Sequence, residues 1–166
     1  MYSINFPDGL DQSTFLAQYW QQQPLYMPAA WRGFENPLGP DEVAGLAMDA
    51  DFHSRIVQQH TSDKWSLRQG PFTPDDFAAL DGKNWSLLVS DIEKHLPELM
   101  RYVLPFRFVP DWRFDDFMIS YAPPGGSVGP HMDDYDVFLI QAEGRRDWKL
   151  EGDFRNLPMP ENDLVR

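Results

Sequence analysis

A glycine-rich stretch between two strand-like segments limits the fold of the second half of this chain. Residues 114–121 have the pattern of a strand, residues 123–129 hold three glycines and two prolines, and residues 137–142 form an apolar run typical of a buried strand. Another strand is expected at 146–150 after the turn at 143–145. Short strands joined by Gly-rich turns predict an antiparallel barrel or jelly roll.

The first 110 residues have a mixed pattern of helices and short strands. Expected elements are a helix at 11–23 capped by Asp11 or Ser13, a short strand at 25–27, a helix at 40–48, a hairpin of 54–59 and 65–68, a short helix capped by Thr73, a strand or helix start at 85–89, and a helix at 97–103 closed by Pro105. We therefore predict a mixed α/β part at 1–110, followed at 111–166 by the first strands of a barrel.

The composition indicates a globular protein of one domain. Hydrophobic residues make up 42% of the 166 residues and aromatic residues 14%, which is enough apolar mass for a core. No apolar run approaches the roughly 18 residues of a membrane span, and the first residues do not resemble a signal peptide, so we expect a cytoplasmic protein. With no cysteine, thiolate metal sites and disulfides are excluded.

The formal net charge of −12 argues against a nucleic-acid backbone as the main partner. Affinity for phosphates depends on lysine and arginine, whereas an acidic surface attracts a basic protein or peptide. The same charge also serves simply to keep a protein soluble, and the sequence does not separate these two explanations.

His131 and Asp133 form the principal candidate site. In an extended segment, side chains at i and i+2 lie on the same face, so an imidazole and a carboxylate would point the same way. Such a pair suits the 2-His-1-carboxylate triad of non-haem Fe(II) enzymes, whose third ligand comes from elsewhere. The pair alone is a weak signal among 4 His and 26 acidic residues, and the alternative is a surface turn with solvated acids. The spacing does not match a calcium loop, a serine hydrolase or a phosphate-binding loop.

Two arginines follow the apolar run and offer a second candidate function. The planar guanidinium of Arg145 or Arg146 matches a carboxylate, so one of them is a candidate anchor for a dicarboxylic cosubstrate. The alternative is pairing with nearby acids. His53, His60 and His95 are expected at the surface or in the hairpin.

Several motifs together resemble the bacterial ribosomal oxygenases. These are Asp-Asp-Phe-Met-Ile-Ser at 115–120, Gly-Gly-Ser-Val-Gly-Pro-His-Met-Asp at 125–133, Tyr-Asp-Val-Phe at 135–138 and Gly-Arg-Arg-Asp-Trp at 144–148, with further likeness at 40–48, 70–72 and 84–89. That family consists of JmjC-type, cupin-fold enzymes that use Fe(II) and 2-oxoglutarate to hydroxylate an arginine of a large-subunit ribosomal protein. The resemblance implies an α+β fold in which N-terminal helices and short strands lead into a cupin/JmjC double-stranded β-helix, or jelly roll.

The resemblance also implies roles for individual residues. His131 and Asp133 would be iron ligands, and Arg146 would bind the distal carboxylate of 2-oxoglutarate. The residues implied to line the pocket for the substrate arginine are Asp116, Met118, Ser120 and Tyr135. The implied partner is a basic ribosomal protein, without direct nucleic-acid readout or a membrane, and the family is homodimeric.

The sequence departs from the family pattern at the third iron ligand. The family supplies a histidine from a late barrel strand, and no histidine follows Asp133 here. We therefore expect an incomplete barrel that lacks the dimerisation region and is inactive as given. Two alternatives remain open: a catalytically dead cupin-like module that binds a basic protein, and a compact cupin that uses His60 or His95 as the third ligand.

Overall fold

The computed structural model describes residues 4–7 and 9–150. Within them, the helices are α1 Gln12–Gln18, α2 Pro40–Met48, α3 Pro74–Ala78 and α4 Ile92–His95, and the strands are β1 His53–Gln59, β2 Trp65–Gln69, β3 Trp85–Ser90 and β4 Ile119–Tyr121. Three 3-10 helices, Pro97–Tyr102, Leu104–Phe106 and Asp111–Arg113, connect α4 to the segment before β4. Helices combined with antiparallel strands confirm the predicted α+β class.

The four strands form one antiparallel sheet in the order β2-β1-β3-β4. Because side chains alternate between the two sides of a sheet, the register assigns every residue to a face. The core face carries Ile56, Leu87 and Val89, which pack with Val43 and Ala47 of α2 in the main hydrophobic core.

The opposite face of the sheet is called the site face here. It is made of Trp65 on β2, Arg55 and Val57 on β1, Ser86 and Leu88 on β3, and Ser120 on β4. The register pairs Arg55 with Leu88, and Leu88 with Ser120, so these three side chains lie in one row across the sheet. This row is relevant to the candidate site because Arg55 lies beside Met118 and its charge acts on Tyr135.

Local sequence signals explain where the helices begin. The Asp11 carboxylate accepts a hydrogen bond from the Thr14 amide at 2.7 Å and caps α1, so Asp11 rather than Ser13 is the cap. Helix α2 begins with Pro40 and has two acids in its first turn, as predicted. Thr73 and Asp76 form a reciprocal capping box at α3.

Several predicted elements of the first part differ in the structure. Helix α1 ends at Gln18, and residues 19–22 form turns. Residues 25–27 are not a strand, residues 85–90 are a strand, and the helix predicted at 97–103 is a 3-10 helix that ends at Tyr102. Pro105 lies inside the following 3-10 helix and does not stop helical structure, because proline is tolerated in the first turn of a helix.

The strands predicted after residue 111 are mostly not formed in the described chain. Only Ile119–Tyr121 of the segment 114–121 pairs with β3, and residues 137–142 and 146–150 belong to no strand. Val137 and Leu139 are 47% and 59% exposed, so the expectation of a buried strand at 137–142 was wrong. A strand exists only where a neighbouring backbone completes its hydrogen bonds, and the described residues place no partner beside these segments.

An aromatic cluster connects residues 136–138 to the residues that follow helix α1. The ring of Phe138 lies 4.5 Å from that of Phe106 and stacks on Trp20 at 5.6 Å between centroids. Gln21 also donates a hydrogen bond to Asp136 at 2.9 Å. The residues that follow the His-x-Asp pair are therefore held by the N-terminal part, and the predicted boundary at residue 110 stays a prediction. Within the described ranges, no helix is both long and apolar enough to span a membrane.

Candidate metal and substrate site

His131 and Asp133 point their donor atoms toward each other, as their i and i+2 spacing predicts. His131 Nε2 lies 3.7 Å from the nearer carboxylate oxygen of Asp133. The His131 side chain is 23% exposed and the Asp133 side chain 32%, and Asp133 as a whole residue is exposed. His131 Nδ1 lies 2.9 Å from the carbonyl oxygen of Gly129. A carbonyl only accepts, so the Nδ1–H of His131 is the donor of this hydrogen bond.

The Gly-rich loop that precedes His131 is pressed against the end of β3. The amide of Asn84 donates to the Pro124 carbonyl at 3.0 Å. A Cβ atom added at Gly125 would lie 2.3 Å from Asn84 Oδ1, and one added at Gly126 would lie 2.1 Å from the carbonyl oxygen of Trp85. Glycine is required at position 126 because the loop approaches the β3 backbone too closely for any side chain. At position 125, the φ of +77° favours glycine.

Three carboxylates are near enough to Tyr135 to affect its pKa. The pKa of Tyr135 is raised above its ordinary value by partial burial and, next, by the negative charges of Asp133, Asp116 and Asp115. Burial is also the main reason that the pKa of Asp116 is raised, with Asp115 adding to it. The predicted substrate residues Asp116 and Tyr135 are therefore close enough to interact, and Tyr135 connects them to the predicted metal ligand Asp133.

Arg55 is a residue of this region that the sequence reasoning missed. Its Nη2 lies 3.9 Å from the sulfur of Met118, and its positive charge lowers the pKa of Tyr135 against the effect of the carboxylates. In the sheet register it shares a row with Ser120. Placing β3 between the predicted hairpin and β4 would have found it, but Arg55 and Met118 are 63 positions apart, and such an arrangement leaves no local signal.

The segment that carries Asp116 and Met118 is held by the start of α4. The Phe117 amide donates to the Glu93 carboxylate at 2.9 Å, and the Phe117 carbonyl accepts from the Ile92 amide at 3.1 Å. Met118 and Ser120 are exposed, whereas Asp116 is half-buried. Arg55 thus lies beside Met118, its charge acts on Tyr135, and Ser120 lies in its row of the sheet.

The two candidate arginines have different surroundings. Arg145 lies 3.7 Å from the Asp147 carboxylate with both side chains almost fully exposed, which is the alternative role considered for it. The Arg146 guanidinium lies over the Trp148 ring at 5.7 Å and, among the described residues, has no ion pair. Stacking on an aromatic face orients the planar fork and leaves its outer N–H groups available.

The pair fits a metal ion, but the described chain brings only two donors together. Metal ligands with nitrogen or oxygen lie at about 2.1 Å, so donor atoms 3.7 Å apart are within reach of one ion. The hydrogen bond at Nδ1 is the usual support of a ligating histidine. No group of three His, Asp or Glu residues occurs in the described ranges. His60 bonds Ser66 at 2.7 Å and His95 packs on Phe52, so neither joins the pair there.

Comparison with known proteins identifies relatives of this chain. The model of the JmjC domain matches residues 101–163. The chain is 43% identical over 148 residues to the ribosomal protein uL16 3-hydroxylase of Escherichia coli K12, and 39% identical over 150 residues to a probable ribosomal oxygenase of Haemophilus influenzae Rd. Each alignment covers 89% of this chain and 37% of the relative.

A solved structure extends the likeness to three dimensions. The Escherichia coli ribosomal oxygenase YcfD, in complex with cobalt and 2-oxoglutarate, superposes with a TM-score of 0.67 at 42% identity, over 80% of this chain and 35% of that one. The chain is a relative of the JmjC-type ribosomal oxygenases. Its α+β architecture is thereby that of a JmjC/cupin protein, as the sequence predicted. The chain spans a little over a third of the length of these ribosomal oxygenases.

Proposed function

We propose that this chain is the part of a ribosomal oxygenase that holds two of the iron ligands and one wall of the substrate pocket. The reaction would be Fe(II)- and 2-oxoglutarate-dependent hydroxylation of an arginine in a large-subunit ribosomal protein. The observation that carries this proposal is the His131–Asp133 pair, with Nε2 and the carboxylate oxygen 3.7 Å apart and Nδ1 engaged by the Gly129 carbonyl.

The protein's part in the reaction is to hold the reactants in place. His131 and Asp133 would hold the metal, and the Arg146 guanidinium would bind the distal carboxylate of 2-oxoglutarate through its planar fork. The support for Arg146 is its place over Trp148 without a described carboxylate partner. The bound iron and 2-oxoglutarate supply the oxidising chemistry, and the chain orients both.

The substrate arginine would enter beside Asp116, Met118, Ser120 and Tyr135. Asp115 and Asp116 give this region the negative charge that a guanidinium requires, and the exposed Met118 offers an apolar surface to its methylene groups. The chain's net charge of −12 would attract a basic ribosomal protein over a longer range. A non-catalytic binding module is not favoured, because the relatives are named hydroxylase and oxygenase.

A metal titration of the chain tests the ligand assignment. Mn(II), which replaces Fe(II) without oxidising, is titrated into the protein and followed by water-proton relaxation. Asp133→Asn should weaken Mn(II) binding by more than about 10-fold, since loss of a ligand exceeds loss of an outer-shell partner. Asp134→Asn is the matched control because Asp134 is an exposed neighbour in the same acidic stretch. Equal affinity in both variants would remove the proposed metal site.

The same titration with 2-oxoglutarate tests the arginine. Arg146→Ala should abolish the increase in Mn(II) affinity that 2-oxoglutarate produces, whereas Arg145→Ala, at an exposed side chain paired with Asp147, should retain it. The substrate is then tested by incubating purified large-subunit ribosomal proteins with Fe(II), 2-oxoglutarate and a protein that contains this chain together with the third metal ligand. Tandem mass spectrometry should locate one added oxygen on an arginine; addition to another residue type would refute the arginine assignment.

A further inference from the structure

Arg55 and Arg146 differ from the other basic side chains of the described chain in their surroundings. Every other Lys and Arg in residues 4–7 and 9–150 is exposed, whereas these two residues are half-buried. Within the same ranges, neither guanidinium forms an ion pair. Arg146 is the proposed anchor of 2-oxoglutarate, so the similar surroundings of Arg55 indicate that it, too, acts on a bound molecule.

A half-buried charge without a partner lowers the stability of a fold. Removing a guanidinium from water costs free energy, which an ion pair or a set of hydrogen bonds normally offsets. Among the described residues, the Arg55 guanidinium contacts the sulfur of Met118, at 3.9 Å from Nη2, and a thioether is only a weak acceptor. Stability therefore does not explain the presence of a positive charge at this position.

Arg55 lies at the Met118 side of the proposed substrate pocket. The register places its side chain in one row with Leu88 and Ser120 on the site face. The Met118 side chain beside it is 40% exposed, so a ligand can reach this place. Asp116, two positions before Met118, is half-buried and forms no ion pair with Arg55. Opposite charges therefore lie at two different places in one proposed pocket.

We propose that Arg55 is a specificity-determining residue, whose positive charge repels the guanidinium of the substrate arginine from Met118 and leaves it the position beside Asp115 and Asp116. This inference rests on the proposed function, because it takes these residues as the wall of the arginine pocket. The uncharged methylene groups of the substrate are not repelled and can cover the Met118 side chain. The pocket then accepts the arginine side chain in one direction.

A structural arginine would behave differently. If the long Arg55 side chain mainly packs on Met118, its replacement lowers the free energy of unfolding and leaves the binding of a guanidinium unchanged. Arg55→Gln removes the charge and keeps a polar side chain, whereas Arg55→Lys keeps the charge on a different head group. In urea unfolding, we expect no loss of stability in Arg55→Gln, because no unpaired charge remains to be desolvated.

Binding of a small arginine probe tests the repulsion without any reaction. N-acetyl-arginine methylamide is titrated into the metal-free chain at low ionic strength, and the ring resonances of Tyr135 report the binding. Arg55→Gln should bind the probe about 5-fold more tightly than wild type, and Arg55→Lys should bind it as wild type does. Lys64→Gln, the same change of charge at an exposed side chain of the same hairpin, is the matched control and should leave the affinity unchanged.

The outcomes separate this role from the proposed function. If wild type binds the probe and Arg55→Gln binds it equally or more weakly, the role of Arg55 is overturned and the arginine pocket stands. If neither protein binds the probe, the arginine pocket is refuted together with this role. If Arg55→Gln does not fold, Arg55→Met takes its place, since it is also uncharged and unbranched, with the same expected result.

The position of the added oxygen is a second readout, which a packing role would not change. It is measured in a protein that contains this chain together with the third metal ligand, with Fe(II), 2-oxoglutarate and the substrate protein. Wild type and Arg55→Lys should add oxygen at one carbon of the arginine side chain, and Arg55→Gln at more than one, because the guanidinium is no longer kept at one end. Product from Arg55→Gln with oxygen only at the wild-type carbon would contradict the proposal.

Discussion

Gly126→Ala should displace the Gly-rich loop from β3 and disturb the pair of His131 and Asp133. The new Cβ would lie 2.1 Å from the Trp85 carbonyl oxygen and 2.8 Å from Ala122 Cβ. Contacts between carbon and oxygen are normally about 3.3 Å or longer. The loop must therefore move by roughly 1 Å, because the obstructing oxygen belongs to the backbone of a central strand and cannot rotate away.

Both stability and metal binding should register this displacement. Overpacking of this kind costs about 1–3 kcal/mol of the free energy of unfolding. Urea unfolding followed by tryptophan fluorescence measures that loss, and Mn(II) titration measures the effect on the pair. Since misplacement by about 1 Å disables a catalytic constellation, we expect Mn(II) affinity to fall by at least about 10-fold.

Gly82→Ala is the matched control for this substitution. A Cβ at Gly82 meets no atom within 4 Å, and its φ is outside the left-handed region. Its free energy of unfolding should stay within about 0.5 kcal/mol of wild type, with unchanged Mn(II) affinity. If Gly126→Ala behaves like Gly82→Ala, the close packing of the loop on β3 does not hold the pair, and the reasoning is refuted.

Two further predictions concern the capping box and the site face. The Thr73 hydroxyl and amide hydrogen bonds, with the ion pair to Arg68, hold the pKa of Asp76 at about 2 instead of 3.8. A depressed pKa contributes stability that is present above about 3.8 and lost as the pH falls toward 2. Thr73→Ala should raise the Asp76 pKa and flatten this acid-side loss in urea unfolding between pH 4 and 2; an unchanged pH profile would contradict the assignment. The Ser86 hydroxyl is buried and finds no hydrogen-bond partner among the described residues. Ser86→Ala should therefore keep the free energy of unfolding or raise it by up to about 1 kcal/mol; a loss of more than about 1 kcal/mol in thermal unfolding would show that the hydroxyl is bonded.

Elements with complete local signals were predictable from the sequence. Helix α2 has Pro40 and two acids at its start, α3 has the Thr73 capping box, and the hairpin of β1 and β2 alternates apolar and polar residues on both sides of a polar turn. In each case the residues that decide the structure lie within one or two turns of the chain. The prediction of a strand at 137–142 was wrong for the opposite reason. An apolar run becomes a strand only where another backbone pairs with it.

In the candidate site, too, local spacing was predictable from the sequence and contacts between distant residues were not. The i and i+2 spacing of His131 and Asp133 places their side chains together through backbone geometry alone, and the structure has their donor atoms 3.7 Å apart. The roles predicted for Arg146, Asp116, Met118, Ser120 and Tyr135 came from family resemblance and stay predictions. The approach of Arg55 to Met118 was not visible in the sequence.

By itself, the sequence predicted the fold class, the likeness to ribosomal oxygenases and the side-by-side placement of His131 and Asp133, since these depend on short-range patterns and on motifs. Only the tertiary structure decided which distant residues meet. Arg55 reaches Met118 across 63 positions of chain. Contacts of that kind depend on how strands pair and on which face each side chain takes. A shift of one residue in the register would send those side chains to the opposite face.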